Sequence, residues 1–329
     1  MRSTLNRRQW CSLQAAALAG LHGPVQAADR IVATTFKDGV WSDSRRSRSV
    51  PWRLRLPTQP GPWPLVLYSH GLGGNREGGA VWGQAWADAG VAVLHLQHQG
   101  SDSDTLRSGL AALRAAASAE QLLARVQDVR FALDEIESLA QSAAEPWRSL
   151  RRDAIGLAGH SFGARTTQAV AGQRYPVAVE AADPRLRAFI ALSPSSPRDS
   201  RFTLAQSFGA IARPFMVITG SLDGDPFGSF DGGESRARVF DGLPLGQRAL
   251  LWLEGADHTS FGGGSARHVP AVGPFKRHGA AAELEPVHRE LVARVSTLWW
   301  RAHLLADADA PAVLRGPLGL AEQDRFTID

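Results

Sequence analysis

The run Gly159-His160-Ser161-Phe162-Gly163 follows the pattern G-x-S-x-G, which sets a serine at the apex of a sharp strand-to-helix turn. The requirement is steric. A strained apex leaves room only for small residues two positions to either side. The helix that follows would aim its unpaired N–H groups and its positive end at the place where an oxyanion forms. A serine hydroxyl is a weak nucleophile until a base takes its proton, so an acid and a histidine should follow in the order Ser, Asp/Glu, His. Gly220-Ser221-Leu222-Asp223-Gly224-Asp225 supplies carboxylates, and Glu254-Gly255-Ala256-Asp257-His258 supplies an imidazole. The reading is Ser161 as nucleophile, Asp223 as acid and His258 as base. Asp225 precedes Pro226, which biases it to extended backbone and a loop-shaping role. Asp257 adjoins His258 in sequence and would need an unusual bend to meet its ring.

Those residues need a scaffold that delivers each to one rim. Short β-rich apolar runs alternate with longer helical patterns along the chain, which implies a mostly parallel sheet of about eight strands with helices on both faces. Ile31–Phe36 and Val50–Leu56 are expected as opening antiparallel strands, followed by strands at Pro64–His70 and Val91–His95. Later strands are expected at Ala154–Gly159, Ala188–Leu192, Phe215–Thr219 and, last, Ala249–Leu253. Helical patterns cover Val81–Ala89, Ala115–Leu139, Ala164–Ala171 and Val287–Leu305, the second with Leu122, Val126, Val129 and Leu133 on one face. About 22 residues separate Leu192 from Phe215, too few for a substantial helical cap. Trp299 and Trp300 are expected in the core, and His268, His278, His288 and His303 at the surface.

His70-Gly71-Leu72-Gly73-Gly74 closes the earlier strand. In this architecture the loop after that strand gives one oxyanion N–H and the residue after the nucleophile gives the other, which assigns the backbone N–H groups of Leu72 and Phe162. The same glycines do not make a dinucleotide fingerprint, because G-x-G-x-x-G would need glycine at Arg76. His70 is expected to order the loop by hydrogen bonding. His95 and His98, near Asp102 and Asp104, read the same way: a calcium loop begun at Asp102 would place Arg107 and Leu113 where Gly and Glu are needed. No cofactor and no metal are expected.

These segments in combination resemble bacterial relatives of platelet-activating-factor acetylhydrolase, often labelled predicted dienelactone hydrolases. The resemblance rests on His70–Gly74, on His95-Leu96-Gln97-His98-Gln99-Gly100-Ser101-Asp102 and on Gly159–Ala164, with Ser193-Pro194, Thr219–Asp223 and Glu254–Gly262 completing it. It runs from about residue 35 to 306. It implies the α/β-hydrolase fold and an esterase or lipase-like serine hydrolase, and the expected reaction is hydrolysis of carboxylic esters such as short-acyl lipids, lactones or similar esters. The roles it implies for Ser161, Asp223, His258, Leu72 and Phe162 agree with those above. The dienelactone label fits less well, since that enzyme uses a cysteine nucleophile and serine stands here. The same trio would also serve an amidase or peptidase, told apart by turnover of matched amides and esters. A catalytically silent binding protein on the same scaffold would fail to label with a fluorophosphonate.

At the N-terminus, Asn6-Arg7-Arg8-Gln9-Trp10, a mildly apolar stretch from Cys11 to Leu21 and Val25-Gln26-Ala27 make a twin-arginine-like signal peptide over residues 1–27. The expectation is cleavage before Ala28, a periplasmic or secreted protein, and a single domain over 28–329. Of the net charge of +4, Arg2, Arg7 and Arg8 carry three, and the mature chain has only Lys37 and Lys276 as lysines. No basic stripe interleaved with aromatics runs through it, which argues against a nucleic-acid partner. No run of 18 apolar residues occurs, so no transmembrane helix is expected. Cys11 is the one cysteine, leaving the mature chain without disulfide or thiolate chemistry. The expected partner is a small-molecule ester.

Overall fold

Neighbouring side chains on a strand point to opposite faces, so a run apolar at every position needs cover on both. The central strands are of this kind, and they feed two separate cores. β3 (Trp63–Ser69) sends Leu65 and Leu67 to one core and Val66 and Tyr68 to the other. β4 (Ala92–Leu96), β5 (Leu150–His160), β6 (Leu186–Leu192) and β7 (Phe215–Leu222) divide their residues the same way, as Phe215 and Val217 against Met216 and Ile218 show. The computed structural model describes residues 35–176, 181–197, 201–225, 232–264 and 279–329. The expected signal peptide lies outside the described residues, as do His268 and His278.

One face is covered by α4 (Ala119–Gln141), α5 (Phe162–Ala171) and α7 (Gly232–Gly242). The α4 stripe is the one anticipated, Leu122, Val126, Val129 and Leu133, and the helix starts where Ser118 caps the Gln121 N–H. The other face is covered by α1 (Ala80–Asp88), through Trp82 and Trp86, and by α8 (Gly279–His303), through Leu291, Val292, Val295, Trp299 and Trp300. Short helices α2 (Ser103–Arg107), α3 (Leu110–Ala115), α6 (Leu204–Phe208) and α9 (Ala310–Arg315) complete the described set. The five-residue α6 is the one helix among the described residues between β6 and β7.

The sheet has nine strands in the order β1-β2-β4-β3-β5-β6-β7-β8-β9, with β8 at Arg248–Asp257. Every neighbouring pair among β3 to β8 is parallel. β1 (Thr35–Asp43), β2 (Arg48–Leu56) and β9 (Arg325–Ile328) pair antiparallel at the two edges.

Three expectations need correction here. The first strand is Thr35–Asp43 rather than Ile31–Phe36, because it forms a hairpin with β2 through a turn at 44–47, where Asp43 accepts the N–H groups of Arg45 and Arg46. Its outer residues are mostly exposed, so it carries little apolar signal. The sheet also does not end at β8. The ninth strand pairs Phe326 with Leu251 and Thr327 with Leu250, and four residues at a half-covered edge are too short to announce themselves by pattern. The surface placement of two histidines is also overturned. His288 is 3% exposed, and His303 is half-buried, edge-on to Trp299 with ring centroids 4.2 Å apart.

Candidate active site

Parallel strands deliver their C-terminal ends to one rim, where open α/β sheets bind ligands. β5 ends at His160, Ser161 follows, and α5 begins at Phe162. Ser161 holds φ 57° and ψ −114°, a conformation that costs an L-residue on the order of 1–3 kcal/mol and persists only where its surroundings enforce it. Here two glycines enforce it. A Cβ on Gly159 would stand 2.3 Å from the Gly163 carbonyl oxygen, and one on Gly163 would stand 1.9 Å from that of Ser69. The turn is thus pressed against the ends of β3 and α5, and the Ser161 N–H donates to Leu192 O at 2.9 Å.

The structure brings Ser161, His258 and Asp223 together in one line. His258 Nδ1 lies 2.8 Å from Asp223 Oδ1, and its Nε2 lies 2.9 Å from Ser161 Oγ. A carboxylate only accepts, so Nδ1 carries the proton and Nε2 is left to accept the serine hydroxyl's. His258 opens a short 3-10 turn, His258–Phe261, after β8. Asp257 caps that turn: its Oδ1 accepts the N–H groups of Thr259 and Ser260 at 3.0 Å each and both their hydroxyls. Asp257 therefore shapes the histidine loop. Both ring nitrogens of His258 are taken, by Ser161 and Asp223, so neither is left for Asp225.

Asp223 is fully buried, and its carboxylate is saturated. Oδ1 meets His258 and, at 3.1 Å, Arg236 Nε; Oδ2 accepts the Ser193 hydroxyl at 2.5 Å and the Thr219 hydroxyl at 2.8 Å. Burial alone would push its carboxyl up, but the Arg236 guanidinium and the bonds from His258 and Ser193 outweigh it and bring it down to about 2. The acid stays ionised while it holds the imidazole. His160 steadies the base from the other side, its Nε2–H donating to the His258 carbonyl at 2.9 Å with the two rings 4.8 Å apart. Burial, and then the neighbouring His258, lower His160 to about 3, so it is a neutral donor.

The loop after β3 folds over this turn. A Cβ on Gly71 would sit 3.5 Å from that of Ser161, and the next residue is Leu72. Gly73 N–H donates to Ser101 O and Gly74 N–H to Gly71 O. The N–H groups of Leu72 and of Phe162, the first residue of α5, meet no acceptor among the described residues. Both are thus open to an outside acceptor beside Ser161.

Behind the loop lies a second buried network. His70 Nε2 accepts the His98 N–H at 3.0 Å, so its proton is on Nδ1 and goes to Gly71 O at 2.6 Å. Arg125 holds the His70 carbonyl at 2.6 Å and the Ser101 hydroxyl at 2.8 Å. His98 bridges Ser69 Oγ and Asp128 Oδ2, each at 2.9 Å, while Arg46 and Arg48 pair with Asp128. His95 spends its ring on Gly78 O and Arg55 Nε. His70, His95 and His98 order loops, as the sequence implied.

Arg236, Ser193, Thr219 and His160 were not picked out by sequence reasoning as partners of the trio. Ser193 and Thr219 sit inside motifs already noted, and His160 inside the serine motif itself. Arg236 had no signal, since it lies on a helix whose position over the acid loop is a tertiary fact. Compared with known proteins, the chain matches no protein-family model and no curated protein.

Proposed function

We propose that this chain is a serine hydrolase of the α/β-hydrolase type that cleaves carboxylic esters through an acyl-enzyme on Ser161. The observation that carries the reading is the continuous line from Asp223 through His258 to a serine held in strained backbone. A scaffold that merely packed would have no reason to store strain at that residue. The sheet order, with its antiparallel opening strands and parallel centre, supports the fold assignment, as does the sequence resemblance to bacterial platelet-activating-factor acetylhydrolase relatives.

In the reaction, Ser161 Oγ attacks the ester carbonyl while His258 Nε2 takes its proton, and Asp223 orients and stabilises the imidazolium. The Leu72 and Phe162 N–H groups receive the oxyanion; losing one such donor costs on the order of 10²–10³ in kcat. His258 then protonates the leaving alcohol, and water, activated by the same base, releases the acid. The chemistry asks for no cofactor. The substrate class proposed is a short-acyl lipid, a lactone or a similar ester, met outside the cytoplasm after removal of residues 1–27.

The test is fluorophosphonate labelling together with an ester panel of varied acyl length. Ser161→Ala should abolish both while its circular dichroism stays that of the wild type. Labelling retained at another serine would overturn the assignment.

A further inference from the structure

Arg236 is a buried cation that the relay as usually drawn does not need. It is 4% exposed, and its position is set by α7. Gly233, one turn earlier, lies so close to the acid loop that a Cβ there would stand 1.8 Å from the Gly220 carbonyl oxygen. Residues three apart share a helix face, so the contact that seats Gly233 also aims Arg236 at Asp223. Its Nε donates to the Asp223 carbonyl at 2.8 Å and pairs with Oδ1 at 3.1 Å. Its Nη1 holds the carbonyls of Ser193 at 3.2 Å and Pro194 at 2.8 Å, and its Nη2 holds that of Gly224 at 3.3 Å. Ser193, at φ 54°, is itself in the left-handed region, and its hydroxyl is one of the two on Asp223 Oδ2.

We propose that Arg236 is a positioning residue of the trio, whose charge, shared with His258 on one carboxylate oxygen, offsets the pull of Asp223 and sets the acid limb of the pH–rate profile lower than Asp223 alone would. The inference rests on the hydrolase reading above. Because Arg236 Nε and His258 Nδ1 both sit on Asp223 Oδ1, at 3.1 and 2.8 Å, the guanidinium lies within about 6 Å of the imidazole, near enough for a strong unscreened interaction. In a trio with a bare carboxylate, the acid's full charge favours the imidazolium. Here a fixed cation subtracts from that, so the charge that develops on the imidazole during the reaction is stabilised less and the proton passes to the leaving group more readily.

The other groups around this centre do not supply that charge. His160 faces His258 from the end of β5 and is neutral. Asp257, on the histidine's own loop, is spent on the turn, and behind it stand His288 of α8 and Asp324. Ser193 and Thr219 contribute only hydroxyls.

A purely structural role, clamping the four carbonyls, is separated from this one by two variants of the full chain. Arg236→Gln keeps hydrogen-bond donors and loses the charge; Arg236→Lys keeps the charge and loses the fork. In kcat/KM profiles on one ester, Arg236→Gln should move the acid limb upward by about one to two pH units, so that activity one unit below the wild-type limb falls about tenfold further than activity on the plateau. Arg236→Lys should leave the limb in place and lower the plateau. A folded Arg236→Gln with an unmoved limb would overturn the inference. Should that variant not fold, Arg236→Lys decides: a limb that stays supports the charge role, and one displaced upward by a full unit overturns it. A wild type that neither hydrolyses esters nor labels with a fluorophosphonate would instead sink the hydrolase reading and this inference with it.

Discussion

Two buried polar networks meet at the end of β3, and they are built from nearly the same parts. Around Asp223 stand an arginine, a histidine and two hydroxyls; around Asp128 stand two arginines, His98 and, through it, the Ser69 hydroxyl. Each carboxylate is held down to about 2 by its partners against the cost of burial. They differ in where the chain of hydrogen bonds ends. From Asp128 it runs through His98 to Ser69 Oγ, in a β3 residue that is fully buried. From Asp223 it runs through His258 to Ser161, which is partly exposed and strained. A buried Asp–His–Ser line is thus not by itself a site. The strain and the exposure of its last member separate the line proposed here to do chemistry from the one that holds a loop.

The comparison is broken most severely by removing the acid's charge. Asp223→Asn should lower kcat by about 10⁴, the cost of a mis-set imidazole tautomer, with folding retained, whereas Asp225→Asn should lower it far less. Steady-state rates on one ester check both, and the reverse ordering would reassign the acid. A smaller and opposite effect is expected in the second network. His98→Leu leaves the buried Ser69 Oγ without its partner and takes one of two bonds from Asp128 Oδ2, which keeps Arg48; this should cost about 1–3 kcal/mol in urea unfolding, while kcat of the folded protein falls less than Asp223→Asn lowers it.

The smallest expected effect sharpens the same contrast through pH. Burial, with the nearby Arg125, lowers His98 to about 4 from the 6.5 of a free imidazole, despite the bond to Asp128. His98 therefore donates to Asp128 as a neutral ring. The unfolded chain takes up that proton first as pH falls through 6.5, and the folded chain takes it only near 4. Stability from this group is thus full above about pH 6.5 and declines between 6.5 and 4, by about 1.4 kcal/mol per pH unit at most. His95 and His160, both lowered to about 3, and His303, lowered to about 4, add slopes of the same sign. Unfolding free energies measured from pH 4.5 to 7 should fall with acid in the wild type, and less steeply by one proton in His98→Leu. Equal slopes in the two would show that His98 is charged in the folded protein.

Much of this arrangement was legible in the chain itself. The serine motif could be read because sterics at a strained turn restrict residue types two positions away, a constraint that is local in sequence. The central strands could be read because burial on both faces demands an unbroken apolar run, and the order of acid and base followed from strands that end at one rim. β1 and β9 escaped because an edge strand with a half-solvated face has no such demand placed on it.

What the sequence by itself determined, then, is every feature whose cause lies within a few residues: the elbow glycines, the two-sided strands, the α4 stripe, and the choice of Asp223 over Asp225 through the proline that follows. Tertiary structure alone decided which polar residues share a carboxylate. Arg236 reaches Asp223 because Gly233 lets α7 settle on Gly220, and His160 reaches the His258 carbonyl across 98 positions. A buried charge must find its partners wherever the packed chain brings them, and no spacing along the sequence records that meeting.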